Sequence, residues 1–119
     1  MAYADHDQRR RLIAGLRSLV TLLEIRPEVP TPTFTDLTVF PPRSTDDAMR
    51  AEVDRVASLL GSEIDTESLD HGHYKTALSF GPVEYKVVAI LSAARARDAA
   101  RRAYADAMTP DSDTTAKEM

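Results

Sequence analysis

The sequence predicts a small α+β domain, in which an antiparallel sheet with a β-hairpin in its C-terminal half is packed by two to three helices. Two segments rich in Tyr, Thr, Phe and Val flank Gly81 and Pro82, a pair that forms turns and interrupts a regular ladder. Three further segments carry apolar residues at helical spacing. The predicted order is α-β-α-β-β-β-α, with residues 1–108 as one domain and residues 109–119 as a disordered polar tail.

The hairpin is predicted in a single register. With Gly81 and Pro82 as the loop, the apolar and aromatic residues of both strands share one face, and the charged residues share the other. A slip of one residue would scatter the apolar set over both faces. The predicted cross-strand pairs are Phe80 with Val83, Leu78 with Tyr85, Thr76 with Val87, and Tyr74 with Ala89.

A first helix is predicted from Gln8 to Ile25, with Asp5 or Asp7 as its cap and Pro27 after its end. Its apolar residues form one stripe, which we expect to face the core. A short strand over residues 33–40 follows, and the prolines that end it favour an edge position. The stripe consists of Leu12, Ile13, Leu16, Leu19, Val20 and Leu23.

The second helix is predicted to start at residues 44–47, where a hydroxyl cap precedes two acids, and to end at Gly61. A weak strand is predicted around Ile64. A last helix from Ser92 to Met108 carries alanines on one face and arginines on the other, so the alanine face should rest on the sheet or on a second copy. The predicted structural core residues are Leu16, Val53, Leu78, Phe80, Tyr85 and Val87.

Composition excludes some classes of function. The chain has no cysteine, which rules out disulfides, thiolate metal sites and a cysteine nucleophile. The net charge of −4 argues against a domain wholly devoted to nucleic acid. No signal peptide or membrane span is evident, so we expect a cytoplasmic protein with no membrane partner. No motif indicates a cofactor.

Two groups of residues could carry chemistry. His71 and His73 have the spacing of a weak metal site, although solvated histidines on a polar strand face would show the same pattern. Four arginines of the last helix could bind an acidic partner or phosphate, although a solvated helix face is also typically rich in arginine. These arginines are Arg95, Arg97, Arg101 and Arg102.

Three segments, over residues 12–17, 52–57 and 74–90, resemble small uncharacterised proteins of actinobacteria and of their phages or integrated mobile elements. The resemblance implies an accessory protein and brings no catalytic residues. The sequence therefore favours a non-enzymatic module that binds another macromolecule, above all a protein, with a homodimer through the alanine face or a sheet edge as one form. The alternatives are a nucleic-acid-binding regulator that uses the C-terminal arginines, and a small metal-assisted hydrolase.

Overall fold

The computed structural model describes residues 3–108, and for residues 68, 70, 98 and 105–108 it describes only the backbone. The chain forms the predicted α+β fold, while the tail predicted at 109–119 lies outside the described residues. A short 3-10 helix (Glu67–His71) lies between the second and third strands. The other elements, in chain order, are α1 (His6–Ile25), β1 (Thr35–Val39), α2 (Asp46–Leu60), β2 (Ile64–Asp65), β3 (His73–Phe80), β4 (Val83–Ile90) and α3 (Ser92–Met108).

The hairpin of β3 and β4 has the predicted register. All four predicted cross-strand pairs are present, from Phe80 opposite Val83 to Tyr74 opposite Ala89. Gly81 has a φ of 62° in the two-residue loop, a conformation that glycine adopts without steric cost. Local turn chemistry and the alternation of apolar residues therefore determine this element.

The sheet is mixed, whereas the sequence predicted an antiparallel one. Its strand order is β1-β4-β3-β2, and β1 runs parallel to β4, with Leu37 opposite Tyr85 and Val39 opposite Val87. A parallel pair needs a long crossover connection, and α2 lies within the segment that joins β1 to the hairpin. The predicted edge position of β1 is confirmed.

The core lies between α2 and one face of the sheet. Val53 of α2 is 0% exposed, and Val87 of β4 is buried with it, as predicted. Thr45 caps α2 by accepting a hydrogen bond from the Ala48 amide, and Gly61 ends the helix with a φ of 69°. The buried cluster comprises Met49, Val53, Val56, Val87, Ala89 and Leu91, with Val39, Leu60, Ile64, Tyr74 and Tyr85 packed at its border.

Two of the predicted core residues are not buried. Leu16 on α1 is 42% exposed and Phe80 at the end of β3 is 63% exposed. Leu78 and Tyr85 are half-buried. Both residues lack a covering element. α2 covers only the part of the sheet face that lies away from the hairpin loop, and α1 buries none of its side chains.

The beginning of α3 is held by contacts that the sequence did not reveal. The Asp46 carboxylate accepts hydrogen bonds from the Ser92 amide at 2.9 Å and from the Ser92 hydroxyl at 2.8 Å, and these bonds lower the pKa of Asp46. Ala94 is buried against Gly72, whereas Ala96, Ala99 and Ala103 of the predicted alanine face are exposed. A side chain outside that face therefore makes the contact with the rest of the domain.

Candidate protein interaction surface

Helix α1 is well formed but lacks a partner within the described part of the chain. Asp5 and Gln8 form a capping box at its start, in which each side chain accepts a hydrogen bond from the other residue's amide. Five large apolar side chains on one side of the helix remain between 39% and 53% exposed. We call this set the α1 stripe; it consists of Leu12, Ile13, Leu16, Leu19 and Val20.

The exposed apolar surface on α1 is as large as the largest patches on typical monomers, which are often functional. At roughly 200 Å² for a fully exposed large apolar residue, the α1 stripe offers roughly 460 Å², against roughly 300–600 Å² for such patches. The sequence identified the stripe correctly, but it placed the stripe against the core of its own chain. In the structure this surface is open to another partner.

A second apolar surface lies at the loop end of the hairpin. Side chains alternate along strands, so the observed register places this set on the sheet face that α2 covers further along. Phe80, Val83 and Leu37 are exposed there, and they amount to roughly 300 Å² on the same basis. We call this set the tip patch; it consists of Leu37, Leu78, Phe80, Val83 and Tyr85.

Near the hairpin loop, the opposite face of the sheet is polar. Lys86 makes an ion pair with Asp36 at 3.0 Å and a longer one with Glu84 at 3.7 Å. Lys75 pairs with Asp65 at 3.7 Å. The Asp36 carboxylate raises the pKa of Lys86, which keeps the ammonium charged on this face. Near the loop, this charged ladder therefore offers no apolar surface that compares with the tip patch.

Both ends of α1 are tethered. At the N-terminal end, the Tyr3 hydroxyl donates a hydrogen bond of 2.9 Å to Glu52 of α2, whose carboxylate also accepts two bonds from Arg55. Burial and the bond to Glu52 together raise the pKa of Tyr3 to about 12. At the other end, prolines at 27, 30 and 32 stiffen the segment that leads to β1. The helix is thus held in place without burial of its stripe.

The arginines predicted as a binding surface are only partly available. Arg95 donates a hydrogen bond to the Ile90 carbonyl, and Arg97 donates one of 3.1 Å to the His71 carbonyl. Both contacts fasten α3 to the hairpin or to the turn before it. Arg101 is exposed, and Arg102 borders an open groove. The four arginines therefore do not form one free cationic surface.

That groove has a volume of about 700 Å³ and lies between α3, the end of β4 and residues 40–43. Phe40, Val88 and Ile90 contribute its apolar lining, and Arg43 is a further cationic group. Among the lining residues that the structure describes there is no nucleophile and no acid–base pair. This geometry offers contact area but no catalytic arrangement.

The two histidines do not share a strand face. His71 ends the 3-10 helix and His73 begins β3, with Gly72 between them at a φ of 77°. The prediction that they project together from one strand was therefore wrong, since the glycine breaks the alternation. Within residues 3–108, as far as side chains are described, no three His, Cys, Asp or Glu residues are grouped to hold a metal ion.

The comparisons with known proteins add no relative. The chain matches no family model, and neither a curated protein nor a solved structure is significantly similar to it. The resemblance noted from the sequence thus stays an expectation. In the described residues, no helix combines the length and the apolar character needed to cross a membrane.

Proposed function

We propose that the protein is a non-enzymatic binding module that associates with other polypeptide through the α1 stripe and the tip patch. One observation carries the proposal: α1 is a capped helix of 20 residues that buries none of its side chains. An amphipathic helix usually gains most of its stability from packing of its apolar face. The partner therefore presents an apolar protein surface of matching size.

The charge of this surface supports a protein partner over nucleic acid. Nucleic-acid affinity depends on cations that neutralise phosphates. The α1 stripe and the tip patch contain only uncharged side chains, and Arg10 and Arg11 beside the stripe both pair with Asp7. The surface is thus suited to burial against apolar residues, which is how protein grooves take up amphipathic helices.

Site-specific photo-crosslinking tests the proposal. A benzophenone amino acid replaces Leu19 in the stripe or, as the control, Ser18 on the other side of α1, and each protein is irradiated in a lysate of the native host. We expect protein adducts from position 19 only, with crosslinked peptides that map to an apolar surface. Unlabelled wild-type chain should compete for these adducts. Equal labelling from both positions, or no protein adduct from position 19, would overturn the proposal.

A further inference from the structure

We infer that the partner of the α1 stripe is the tip patch of a second copy of this chain, in a reciprocal dimer where each α1 covers the other copy's sheet. This inference rests on the proposed function, since it names the polypeptide that the surface binds. Two exposed apolar surfaces on one chain carry it, because they match in character and approximate size. A twofold axis would use each surface twice.

The first argument is area. One stripe and one tip patch expose roughly 760 Å² of apolar surface, so full reciprocal covering would remove roughly 1,500 Å² from water. Specific protein interfaces bury about 1,200–2,000 Å² in total. A pair of α1 helices alone would bury roughly 900 Å² of apolar surface and would leave both tip patches exposed. Apolar atoms make up roughly 56–65% of protein interfaces, so either arrangement reaches the size of a stable dimer, and only the reciprocal one also covers both tip patches.

The second argument is the connection between α1 and β1. The segment from Arg26 to Phe34 contains three prolines, and its first residues form a turn in which the Val29 amide donates to the Arg26 carbonyl at 3.0 Å. Proline fixes φ and favours extended backbone, so this short segment resists folding back. The Tyr3 bond to Glu52 holds the other end of α1. With both ends held in this way, α1 keeps its stripe 39–53% exposed in the described chain, so that surface stays open to a second copy.

Mixing of two variants tests the arrangement with purified full-length chains. Leu16→Asp places a charge in the stripe, and Phe80→Asp places one in the tip patch, while Ser18→Asp on the other side of α1 is the control. All three positions are exposed, so each variant should keep the wild-type far-UV circular dichroism. The pair Val20→Asp and Val83→Asp, also at exposed positions, replaces the first pair if either of those chains misfolds.

Sedimentation velocity between about 1 and 200 μM reads out association of the 13.1 kDa chain. Wild type and Ser18→Asp should be dimeric. The Leu16→Asp and Phe80→Asp chains should each have a dimer Kd raised by at least about 100-fold, because each dimer would bury two unpaired carboxylates. An equimolar mixture should associate more tightly than either variant alone, although more weakly than wild type, since the heterodimer has one intact contact between a stripe and a patch and both carboxylates lie in the other contact.

Three results would overturn the inference: a monomeric wild-type chain at the highest concentration, a dimer that Phe80→Asp leaves unchanged, or a mixture that associates no more tightly than either variant alone. The second would indicate pairing of α1 with α1. A monomeric wild type that still crosslinks to a different protein through position 19 would overturn the dimer and leave the proposed function standing. A monomer without any crosslink would overturn both.

Discussion

Replacement of Gly72 by alanine should destabilise the fold far more than the same replacement at Gly61. Both glycines have positive φ, 77° and 69°, which side chains rarely adopt. They differ in their surroundings. A Cβ on Gly72 would lie 2.6 Å from the Cβ of Ala94 and 3.3 Å from its amide nitrogen, whereas a Cβ on Gly61 would meet nothing within 4 Å.

The magnitude follows from these two contributions. The left-handed conformation costs about 1–2 kcal/mol for an alanine at either site. Forced overlap in a packed contact adds about 1–3 kcal/mol at Gly72, because the opposing atoms belong to a short side chain and to backbone that cannot swing away. We therefore expect a loss of about 2–5 kcal/mol in the free energy of unfolding for Gly72→Ala and about 1–2 kcal/mol for Gly61→Ala.

Urea unfolding followed by circular dichroism measures both losses, and a double-mutant cycle isolates the clash. Ala94→Gly removes the nearest atom, so the pair of changes should be less destabilising than the sum of the single changes by about 1–3 kcal/mol. Losses at the two glycines that agree within about 0.5 kcal/mol, or a cycle without coupling, would refute the close docking of α3 on Gly72.

Three further outcomes are expected. Val53→Ala should lower the free energy of unfolding by about 2 kcal/mol, since the side chain is fully buried, whereas Leu59→Ala at an exposed position should change it by less than about 0.5 kcal/mol. Equal effects of the two changes in urea unfolding would contradict the assignment of the core. Hydrogen bonds from Ser92 lower the pKa of Asp46 in the folded state, so the stability that Asp46 contributes is complete above the ordinary carboxyl pKa and is lost as pH falls through the pKa of the folded state. Asp46→Asn should weaken the loss of stability with acid in unfolding measured from pH 7 to pH 3. An unchanged pH profile would contradict this role of Asp46. The Tyr3 phenol should titrate near pH 12 in the difference spectrum between wild type and Tyr3→Phe, and Glu52→Gln should lower its pKa toward 10. A Tyr3 pKa already near 10 in wild type would mean that the hydrogen bond to Glu52 is absent in solution.

Elements defined by local chemistry could be predicted from the sequence. The register of the hairpin follows from one turn and a period of two, and the start and end of α2 follow from Thr45 and Gly61. Long-range pairing was not accessible in the same way. The parallel contact of β1 with β4 joins residues far apart in the chain, and apolar alternation is compatible with either strand direction. The predicted antiparallel sheet was wrong for this reason.

For the candidate site, too, local features could be predicted from the sequence and long-range contacts could not. Helical periodicity identified the α1 stripe but not what covers it, so Leu16 was placed in the core although it is exposed. Phe80 was misplaced because a strand residue on the apolar face is buried only where a helix lies above it. The bonds of Arg95 and Arg97 to backbone carbonyls had no signal in the sequence, because acceptors of this kind are present at every residue.

The architecture of the sheet leaves space for a second helix over the tip patch. β3 and β4 have eight residues each and are therefore roughly 26 Å long, whereas helices pack roughly 8–10 Å apart. The described chain places only α2 on that face, away from the hairpin loop, which leaves Phe80, Val83 and Leu37 uncovered at the loop end. At the loop end, the polar face cannot take a second apolar helix without burial of the Lys86 ion pairs. If α1 of another copy takes the open position, one intact contact between a stripe and a patch is enough to make the Leu16→Asp and Phe80→Asp mixture associate more tightly than either variant alone.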